Sequence, residues 1–151
     1  MTENKYTVNY KSFDALTPYE LYSIMQLRNE VFVVEQHCIY QDADNKDPYC
    51  HHLMIKEIDF LVAYARLLPR GLAYTEMSIG RVISSPLYRK TGAGRLLLYS
   101  SIEACYTLFG KGPIKIGAQL YLKKFYESFG FEKSSNLYLE DNIEHIEMRK
   151  P

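Results

Sequence analysis

The chain has 151 residues, 47% of them hydrophobic, and a formal net charge of zero from 18 basic and 18 acidic side chains. A chain of this length folds as one domain and buries enough apolar surface to be stable without a metal ion or disulfide bonds. The charge balance excludes a typical nucleic-acid-binding protein, because such proteins carry an excess of lysine and arginine. No apolar stretch approaches the roughly 20 residues of a membrane-spanning helix, and no secretion signal is recognisable. We therefore expect a single cytoplasmic domain over residues 1–151, with neither a nucleic-acid nor a membrane partner.

The first predicted elements are a strand and a helix. Residues 5–13 alternate apolar and polar side chains, which predicts a strand. Thr17, Pro18 and Glu20 have the pattern of a capping box with a first-turn proline, so a helix is expected to begin there. Its apolar stripe continues to Phe32 and contains one charged exception, Arg28.

A long polar loop and three strands are predicted next. Residues 36–48 are rich in aspartate and asparagine and lack periodicity, which predicts a loop, and long ordered loops often carry function. Residues 52–58 and 60–68 are expected to form a β-hairpin, and residues 77–84 extend the antiparallel sheet.

The second half of the chain predicts two helices and three strands. The helices are expected over residues 92–109 and 122–129, and the strands over residues 114–119, 131–139 and 143–149. The order β α β β β α β α β β predicts an α/β or α+β sandwich, in which helices cover a mixed, mostly antiparallel sheet.

The most informative segment runs from residue 80 to residue 98, where a strand, a turn and a helix follow one another. Gly92 and Gly94 would let the backbone approach a ligand closely, and the amides at a helix N-terminus attract phosphate. Three basic side chains add positive charge there, namely Arg89, Lys90 and Arg95. The glycine spacing fits neither a Walker A loop nor a dinucleotide-binding fingerprint. On spacing alone, a phosphate site and an ordinary strand-to-helix turn are equally open.

Residues 89–94 read Arg-Lys-Thr-Gly-Ala-Gly and resemble the Arg/Gln-x-x-Gly-x-Gly/Ala motif of the GNAT superfamily of N-acetyltransferases. The resemblance implies that backbone amides of this loop hold the pyrophosphate of acetyl-CoA and that the preceding strand binds the pantetheine arm. The cofactor-binding residues implied here are Val82, Ile83, Ser84, Arg89, Lys90, Thr91, Gly92, Ala93, Gly94 and Arg95.

Residues 119–131 resemble the second motif of the same superfamily, Asn-x-x-Ala-x-x-x-Tyr followed by Gly-Phe. Gln119 stands at the Asn position and Leu122 at the Ala position, whereas Tyr126 and Gly130-Phe131 match. The resemblance implies that Gln119 and Tyr126 contact the cofactor and that Tyr126 protonates the departing CoA thiolate. A phenol, with a pKa of about 10, stays protonated at neutral pH. The alternative is that Tyr126 only packs on the apolar face of its helix.

Further matches resemble the ElaA branch of this superfamily and extend over nearly the whole chain. They lie at residues 27–42, 64–66, 79–82, 117–119 and 140–148. The chain departs from the branch at Asn142 and Glu144, where Gly and Pro are usual. The resemblance implies the acyl-CoA N-acyltransferase sandwich, acetyl-CoA as the co-substrate and a primary amine as acceptor, either a small molecule or a peptide.

Charged residues and histidines in the predicted elements are candidates for binding the acceptor. Arg28, Arg66 and Arg81 each need a partner, which is either an acidic group of the substrate or a carboxylate of the protein. His52 and His145 lie in strands and could serve as a general base near neutral pH or as hydrogen-bonded structural residues.

A catalytic base and the absence of a metal are also predicted. Glu76 precedes the strand that leads to the cofactor loop, where related acetyltransferases often place a carboxylate that deprotonates the amine through water. Glu76 is therefore the predicted base, with a solvated acid at a strand end as the alternative. The histidines and cysteines around residues 37–52 match no familiar zinc spacing, so no metal is expected.

The predicted reaction is transfer of the acetyl group of acetyl-CoA to a primary amine by direct attack. One alternative is a non-catalytic acyl-CoA-binding sensor or interaction module with the same fold. Another is an enzyme similar to acyl-homoserine-lactone synthases, which would use S-adenosylmethionine and acyl carrier protein. Edge strands in the C-terminal half could pair two copies of the chain into a homodimer.

Overall fold

The computed structural model describes residues 5–151, and within them two four-stranded sheets combine with three α-helices. The helices are α1 (Pro18–Arg28), α2 (Ala93–Phe109) and α3 (Lys123–Glu127). The strands are β1 (Thr7–Ser12), β2 (His51–Glu57), β3 (Phe60–Leu68), β4 (Ser78–Ser84), β5 (Ile114–Gln119), β6 (Glu132–Lys133), β7 (Tyr138–Glu140) and β8 (Ile143–Lys150). No helix in this part of the chain is long and apolar enough to cross a membrane.

Helix α1 begins where the sequence predicts. The Thr17 hydroxyl accepts the amide of Glu20 at 3.1 Å, and the Glu20 carboxylate accepts the amide of Thr17 at 2.8 Å, so the capping box is confirmed. The prediction of one α-helix as far as Phe32 is wrong, because α1 ends at Arg28 and Asn29–Glu35 form a wider π-helical turn. Such turns are frequent at functional sites.

The two sheets are mostly antiparallel, as predicted. The first has the strand order β1-β2-β3-β4, and its β2–β3 hairpin is the one expected from the sequence. The second has the order β5-β8-β6, with β7 also paired to β8. A continuous strand over residues 131–139 is wrong, because only Glu132–Lys133 and Tyr138–Glu140 pair with β8.

The sheets meet at one end of β4 and β5 and separate beyond it. Met77 and Ile114 form a parallel bridge, and the Lys115 amide donates to the Met77 carbonyl at 3.0 Å. Farther along, Arg81 has a φ of 49°, and the pairing of β3 with β4 shifts its register near this residue. A bulge of this kind bends a strand. In the described residues no further backbone pair joins β4 to β5, so the strands diverge and leave an opening.

Helices cover both faces of the first sheet. Successive strand residues point to opposite faces, so β2 directs Leu53 and Ile55 toward the core beneath α2 and Met54 toward α1. The core beneath α2 extends into the second sheet through Ile116 and Ile146. The opening between β4 and β5 therefore lies within a rigid, packed framework.

Candidate active site

A cleft of about 710 Å³ occupies the opening between the two sheets. Residues 78–84 of β4 form one wall, and Gly117 and Gln119 of β5 form the other. We call one end of the cleft the helix end, because Gly94 of α2 and Tyr126 of α3 line it. The opposite end is the loop end, and its lining residues include Tyr40, Asp44, Lys46, Tyr74, Tyr138, Glu140, Asp141 and His145.

The N-terminus of α2 is uncapped at the helix end. Gly92 has a φ of 89°, a left-handed conformation that favours glycine, and its carbonyl accepts the amide of Leu96 at 3.1 Å. Within residues 5–151 no side chain caps this helix, and its first turn contains no acidic residue. The amides of residues 93–95 therefore lack an intrahelical acceptor and form the positive end of the helix dipole. This arrangement is suited to binding an anion.

The absence of a side chain at Gly94 keeps the space beside these amides open. A Cβ atom built at Gly94 would meet no protein atom within 4 Å, although the residue lines the cleft. A packing role for this glycine is thereby excluded. The arrangement allows a ligand to approach the helix backbone closely.

The three basic residues predicted near this helix have different surroundings. Arg89 lines the cleft and donates hydrogen bonds of 2.6 and 2.5 Å to the two carboxylate oxygens of Glu35, in the π-helical turn. Arg95 turns toward α3, where it donates to Ser128 Oγ at 3.2 Å and lies 4.6 Å from the centre of the Phe129 ring. Lys90 is an exposed residue of the turn before α2, as are its neighbours Thr91 and Gly92, whereas Ala93 is buried.

Tyr126 lies in the floor of the cleft and is only 6% exposed. Burial raises the pKa of its phenol above the usual value, and nearby Tyr121 adds to the effect, so Tyr126 stays protonated at neutral pH. Within the described part of the chain its hydroxyl makes no hydrogen bond. The O–H group is therefore free to donate to a ligand in the cleft.

A buried ionic network fixes residues 36–48 at the loop end. Arg28 is 0% exposed; its Nε lies 2.5 Å from Asp42 Oδ2 and its Nη1 2.8 Å from Asp47 Oδ1. Burial alone would lower the pKa of Arg28, but the hydrogen bond to Asp47 and the neighbouring negative charges raise it above the usual value. Arg28 is thus a structural anchor that does not line the cleft.

Two further arginines complete this network and do line the cleft. Arg66 donates to both oxygens of Asp44, at 2.8 and 2.6 Å, and to Asp47 at 3.0 Å. Arg81 places its Nε 2.7 Å from Asp42 Oδ1. Burial raises the pKa of Asp47, but hydrogen bonds from Arg28 and Arg66 outweigh it and lower the pKa overall. The loop is therefore held by charges that stay ionised at neutral pH.

His52 is enclosed beside this network and does not reach the cleft. It is 0% exposed, with Nε2 2.9 Å from the Asp47 carbonyl and Nδ1 2.6 Å from the Tyr64 hydroxyl. A carbonyl can only accept, so Nε2 carries the proton and Nδ1 accepts from Tyr64. Burial lowers the pKa of His52 and keeps the ring neutral. His52 is therefore a structural histidine of the core, and both of its ring nitrogens have hydrogen-bond partners.

Two hydrogen-bonded contacts connect residues on opposite sides of the cleft and partly close it. The side-chain amides of Gln36 and Gln119 exchange hydrogen bonds of 3.2 and 3.3 Å. The Cys38 thiol donates to the Asp141 carbonyl at 3.1 Å, which joins the loop to the β7–β8 hairpin. We call these two contacts the roof.

His145 and two tyrosines line the loop end beneath the roof. The Nδ1 atom of His145 lies 2.7 Å from the Ile143 carbonyl, and Nε2 lies 3.4 Å from Glu140 Oε2. The Tyr138 ring stacks on His145, with 5.8 Å between the ring centres. A Cβ atom at Gly117 would come within 3.0 Å of the Tyr138 hydroxyl and 3.2 Å of the Tyr74 hydroxyl, so this glycine makes room for both. Burial and the neighbouring Tyr138 and glutamates raise the pKa of Tyr74 to about 12.

Glu76 lies outside the cleft, at the end where β4 and β5 meet. Its carboxylate accepts a hydrogen bond from Arg149 Nε at 3.1 Å. Hydrogen bonds from its own backbone amide and from Arg149 lower the pKa of Glu76. The structure therefore does not bring the predicted base together with Tyr126, whereas it does place Arg66, Arg81 and His145 in the same cleft.

Several site residues were not predicted from the sequence. Gly117 offered a signal, because a glycine inside a strand often marks a close approach of other atoms. The three aspartates of the loop could likewise have been matched to the three arginines on apolar elements. Tyr74, Tyr138, Glu140 and the Glu35–Arg89 pair carry no local signal, because only the fold brings them to the cleft.

In residues 5–151 no group of three histidine, cysteine or acidic side chains could hold a metal ion.

Comparisons with known proteins point to one family. Residues 17–151 match the family model described as an acetyltransferase (GNAT) domain. A UPF0039 protein of Schizosaccharomyces pombe is 44% identical over 142 residues, 93% of each chain, and protein ElaA of Escherichia coli is 41% identical over 133 residues, 87% of each chain. The crystal structure of an acyl-CoA N-acyltransferase from Pseudomonas aeruginosa has a TM-score of 0.92 and 40% identity, covering 97% of this chain and 99% of that one.

More distant structures share the fold alone. An aminoglycoside 6'-N-acetyltransferase complexed with coenzyme A has a TM-score of 0.68 and 15% identity, over 94% of this chain and 96% of that one. A CoA-dependent acyl-homoserine lactone synthase with bound S-adenosylmethionine and isopentyl-CoA has a TM-score of 0.79 and 17% identity, over 95% of this chain and 82% of that one.

Proposed function

The chain belongs to the acetyltransferase (GNAT) family, and from this membership we propose that it transfers the acetyl group of acetyl-CoA to a primary amine by direct attack. The cleft carries the proposal, because it joins an open anion site at the start of α2 to a free phenolic O–H at Tyr126. An acyl-CoA N-acyltransferase at 40% identity supports an acyl-CoA as the donor. Catalysis then requires positioning of the two substrates, removal of an ammonium proton and protonation of the thiolate.

The helix end is the proposed donor site. The amides of residues 93–95 would hold the pyrophosphate, with Arg89 at the edge of the site. The exposed turn of Lys90, Thr91 and Gly92 leads the chain to these amides. The pantetheine arm would extend along Val82, Ile83 and Ser84 of β4, which line the cleft, toward Gln119 and Tyr126.

Replacing Gly94 with valine is expected to weaken CoA binding by at least about tenfold, equivalent to ~1.4 kcal/mol. The added methyl groups would occupy the space that the phosphates need. They would meet no protein atom at the Cβ position, so the free energy of unfolding is expected to change by less than about 0.5 kcal/mol. Calorimetric titration with CoA and urea unfolding measure the two quantities. A Gly94→Val variant that binds CoA as tightly as the parent chain contradicts the donor site.

The loop end is the proposed acceptor site. The roof and the anchored loop border a chamber lined by Tyr40, Tyr74 and Tyr138, so we propose a slender amine rather than a residue within a folded protein. Arg66 and Arg81 line this chamber with their charges already paired to Asp44 and Asp42. Arg28 and His52 act on the acceptor only through the loop that they hold.

Replacing Gly117 with valine is expected to raise the KM for the acceptor by roughly tenfold, or ~1.4 kcal/mol, while the Kd for CoA stays within about twofold. The new side chain would push against the Tyr138 and Tyr74 hydroxyls and narrow the chamber. Steady-state kinetics at saturating acetyl-CoA measure the effect. An unchanged acceptor KM would place the amine elsewhere.

Removal of the ammonium proton requires a base, and the sequence predicts Glu76 for this role. Glu76 remains a prediction, and because it does not line the cleft, a chain of water molecules would have to connect it to the amine. Replacing Glu76 with glutamine tests this role, because loss of the carboxylate would remove the base without changing the size of the side chain.

The central experiment measures acetyl-CoA consumption with a panel of small primary amines and short peptides. Acetylation of a small amine, identified by mass spectrometry, is the expected result. Tight CoA binding without transfer to any amine would favour a CoA-binding sensor. Release of a lactone from S-adenosylmethionine and an acyl donor would favour the lactone-synthase reaction, and acetylation of peptides alone would contradict the slender acceptor.

A further inference from the structure

We propose that His145 is the general base of the acetyl transfer and that Glu140 is its positioning residue. The proposal rests on the proposed function and names a group that accepts a proton from the substrate ammonium. It stands on three observations, namely the hydrogen bond that fixes the His145 ring, the carboxylate beside its second nitrogen and its place in the cleft.

The hydrogen bond at Nδ1 determines which nitrogen of His145 is basic. The Ile143 carbonyl lies 2.7 Å from Nδ1 and can only accept, so Nδ1 carries the proton. In the neutral ring Nε2 then holds the lone pair. This is the tautomer that a base needs, and the backbone of the same strand enforces it.

Glu140 stands beside the nitrogen that would receive the proton. Its Oε2 lies 3.4 Å from His145 Nε2, and its side chain is 62% exposed while that of His145 is 8% exposed. A carboxylate at this distance stabilises the imidazolium that forms after proton transfer and can accept the new N–H. The Tyr138 ring, stacked on His145, limits rotation of the imidazole.

The strand pairing places His145 beside Gln119, toward which the proposed pantetheine arm extends. His145 pairs with Gln119 across β5 and β8, and both residues line the cleft. The charged and titratable groups that share this end are Glu140, Asp141, Tyr138, Tyr74, Tyr40, Cys38, Asp44 and Lys46, together with Arg66 and Arg81, whose charges are paired to Asp44 and Asp42. Glu147, two residues after His145 in β8, forms an ion pair of 3.2 Å with Lys115 of β5, so these two charges neutralise each other. Glu76, by contrast, is engaged by Arg149 outside the cleft.

His145 Nε2 takes one proton from the ammonium, and the amine lone pair forms a bond to the thioester carbonyl carbon as the C=O π electrons move to oxygen. The oxyanion of the tetrahedral intermediate then re-forms the carbonyl, the C–S bond breaks, and the departing thiolate receives a proton from Tyr126. The amide nitrogen loses its second proton, which restores Tyr126 through solvent, and His145 returns its proton to water.

The first test needs no acceptor. Long-range proton–nitrogen NMR spectra of the labelled protein, with His145 assigned by comparison with a His145→Gln variant, report the tautomer directly. We expect a protonated Nδ1 and an unprotonated Nε2 in the neutral ring. A protonated Nε2 in the neutral ring would overturn the proposal whatever amine the enzyme uses.

The second test uses the pH dependence of kcat/KM with an amine found in the panel. His145→Gln is expected to lower kcat/KM about 100-fold at neutral pH and to remove the acidic limb of the profile. The Kd for CoA should stay within about twofold. Glu140→Gln is expected to move that limb to lower pH without removing it, because the imidazolium loses its carboxylate neighbour.

Glu144→Gln is the matched control, because Glu144 is an exposed acid of the same hairpin that does not line the cleft. It should leave the pH profile in place. The proposal is overturned if His145→Gln keeps the acidic limb, whatever Glu76→Gln does, or if Glu140→Gln and Glu144→Gln behave alike. If the parent chain binds CoA but acetylates no amine, the proposed function fails instead, and the NMR tautomer still decides whether Nε2 is available as a base.

Discussion

Replacing Arg28 with alanine is expected to lower the free energy of unfolding by about 3–5 kcal/mol. The substitution would leave Asp42 and Asp47 buried without the guanidinium that lies 2.5 and 2.8 Å from them. Arg81 and Arg66 would still contact these aspartates, but they could not fill the space that a fully buried Arg28 occupies. Urea unfolding followed by circular dichroism measures the loss.

A surface ion pair provides the control for this effect. Lys5 lies 3.4 Å from Glu57 with a side chain that is 58% exposed. Replacing Lys5 with alanine is expected to leave the free energy of unfolding nearly unchanged, because solvent screens exposed pairs. If Arg28→Ala were no more destabilising than Lys5→Ala, the network would not be what holds residues 36–48.

Replacing Tyr126 with phenylalanine is expected to lower kcat by about 10²–10⁴-fold, the usual contribution of a general acid. The hydroxyl is the only group removed, and no hydrogen bond within residues 5–151 depends on it. The ring would keep its contact with Phe131, whose centre lies 5.8 Å away. We therefore expect the Kd for CoA to change by less than about threefold and the free energy of unfolding by less than about 0.5 kcal/mol.

Tyr99→Phe is the matched control for Tyr126→Phe. Tyr99 lies on the exposed face of α2, 59% exposed, and does not line the cleft. Removal of the Tyr99 hydroxyl should leave kcat unchanged. A Tyr126→Phe variant with the kcat of the parent chain would remove Tyr126 from the mechanism and assign thiolate protonation to solvent.

Much of the fold follows from local sequence patterns. The capping box of Thr17 and Glu20 determines where α1 begins, and alternation of apolar residues identifies the β2–β3 hairpin. Gly92 and Gly94 mark the start of α2, where the structure has an uncapped helix end. These signals act over a few residues, so a single sequence is enough to find them.

The parts that escaped prediction depend on contacts distant in the chain. No local sequence signal distinguishes the π-helical turn after Arg28 from an α-helix, because its side chains suit an α-helix equally well. The bulge at Arg81 forms where that residue pairs with Asp42, 39 positions away in the chain. Glu76 is drawn to Arg149 only because β8 returns beside the junction of the sheets. The family resemblance suggests Glu76 as the base, but it does not show where in the fold the Glu76 carboxylate lies.

The ionic network at the loop end also determines where this protein can tolerate change. Asp42 serves both Arg28 and Arg81, and Asp47 serves both Arg28 and Arg66. A substitution at Arg28, Asp42 or Asp47 removes at least one partner from two other buried charges, so residues of this wall of the chamber are not expected to vary independently. The facing hairpin is exposed from residue 139 to residue 142, and apart from Glu140 beside His145 its side chains carry no such constraint. Divergence in amine preference among relatives is thus expected to accumulate in the hairpin, while the loop wall stays fixed.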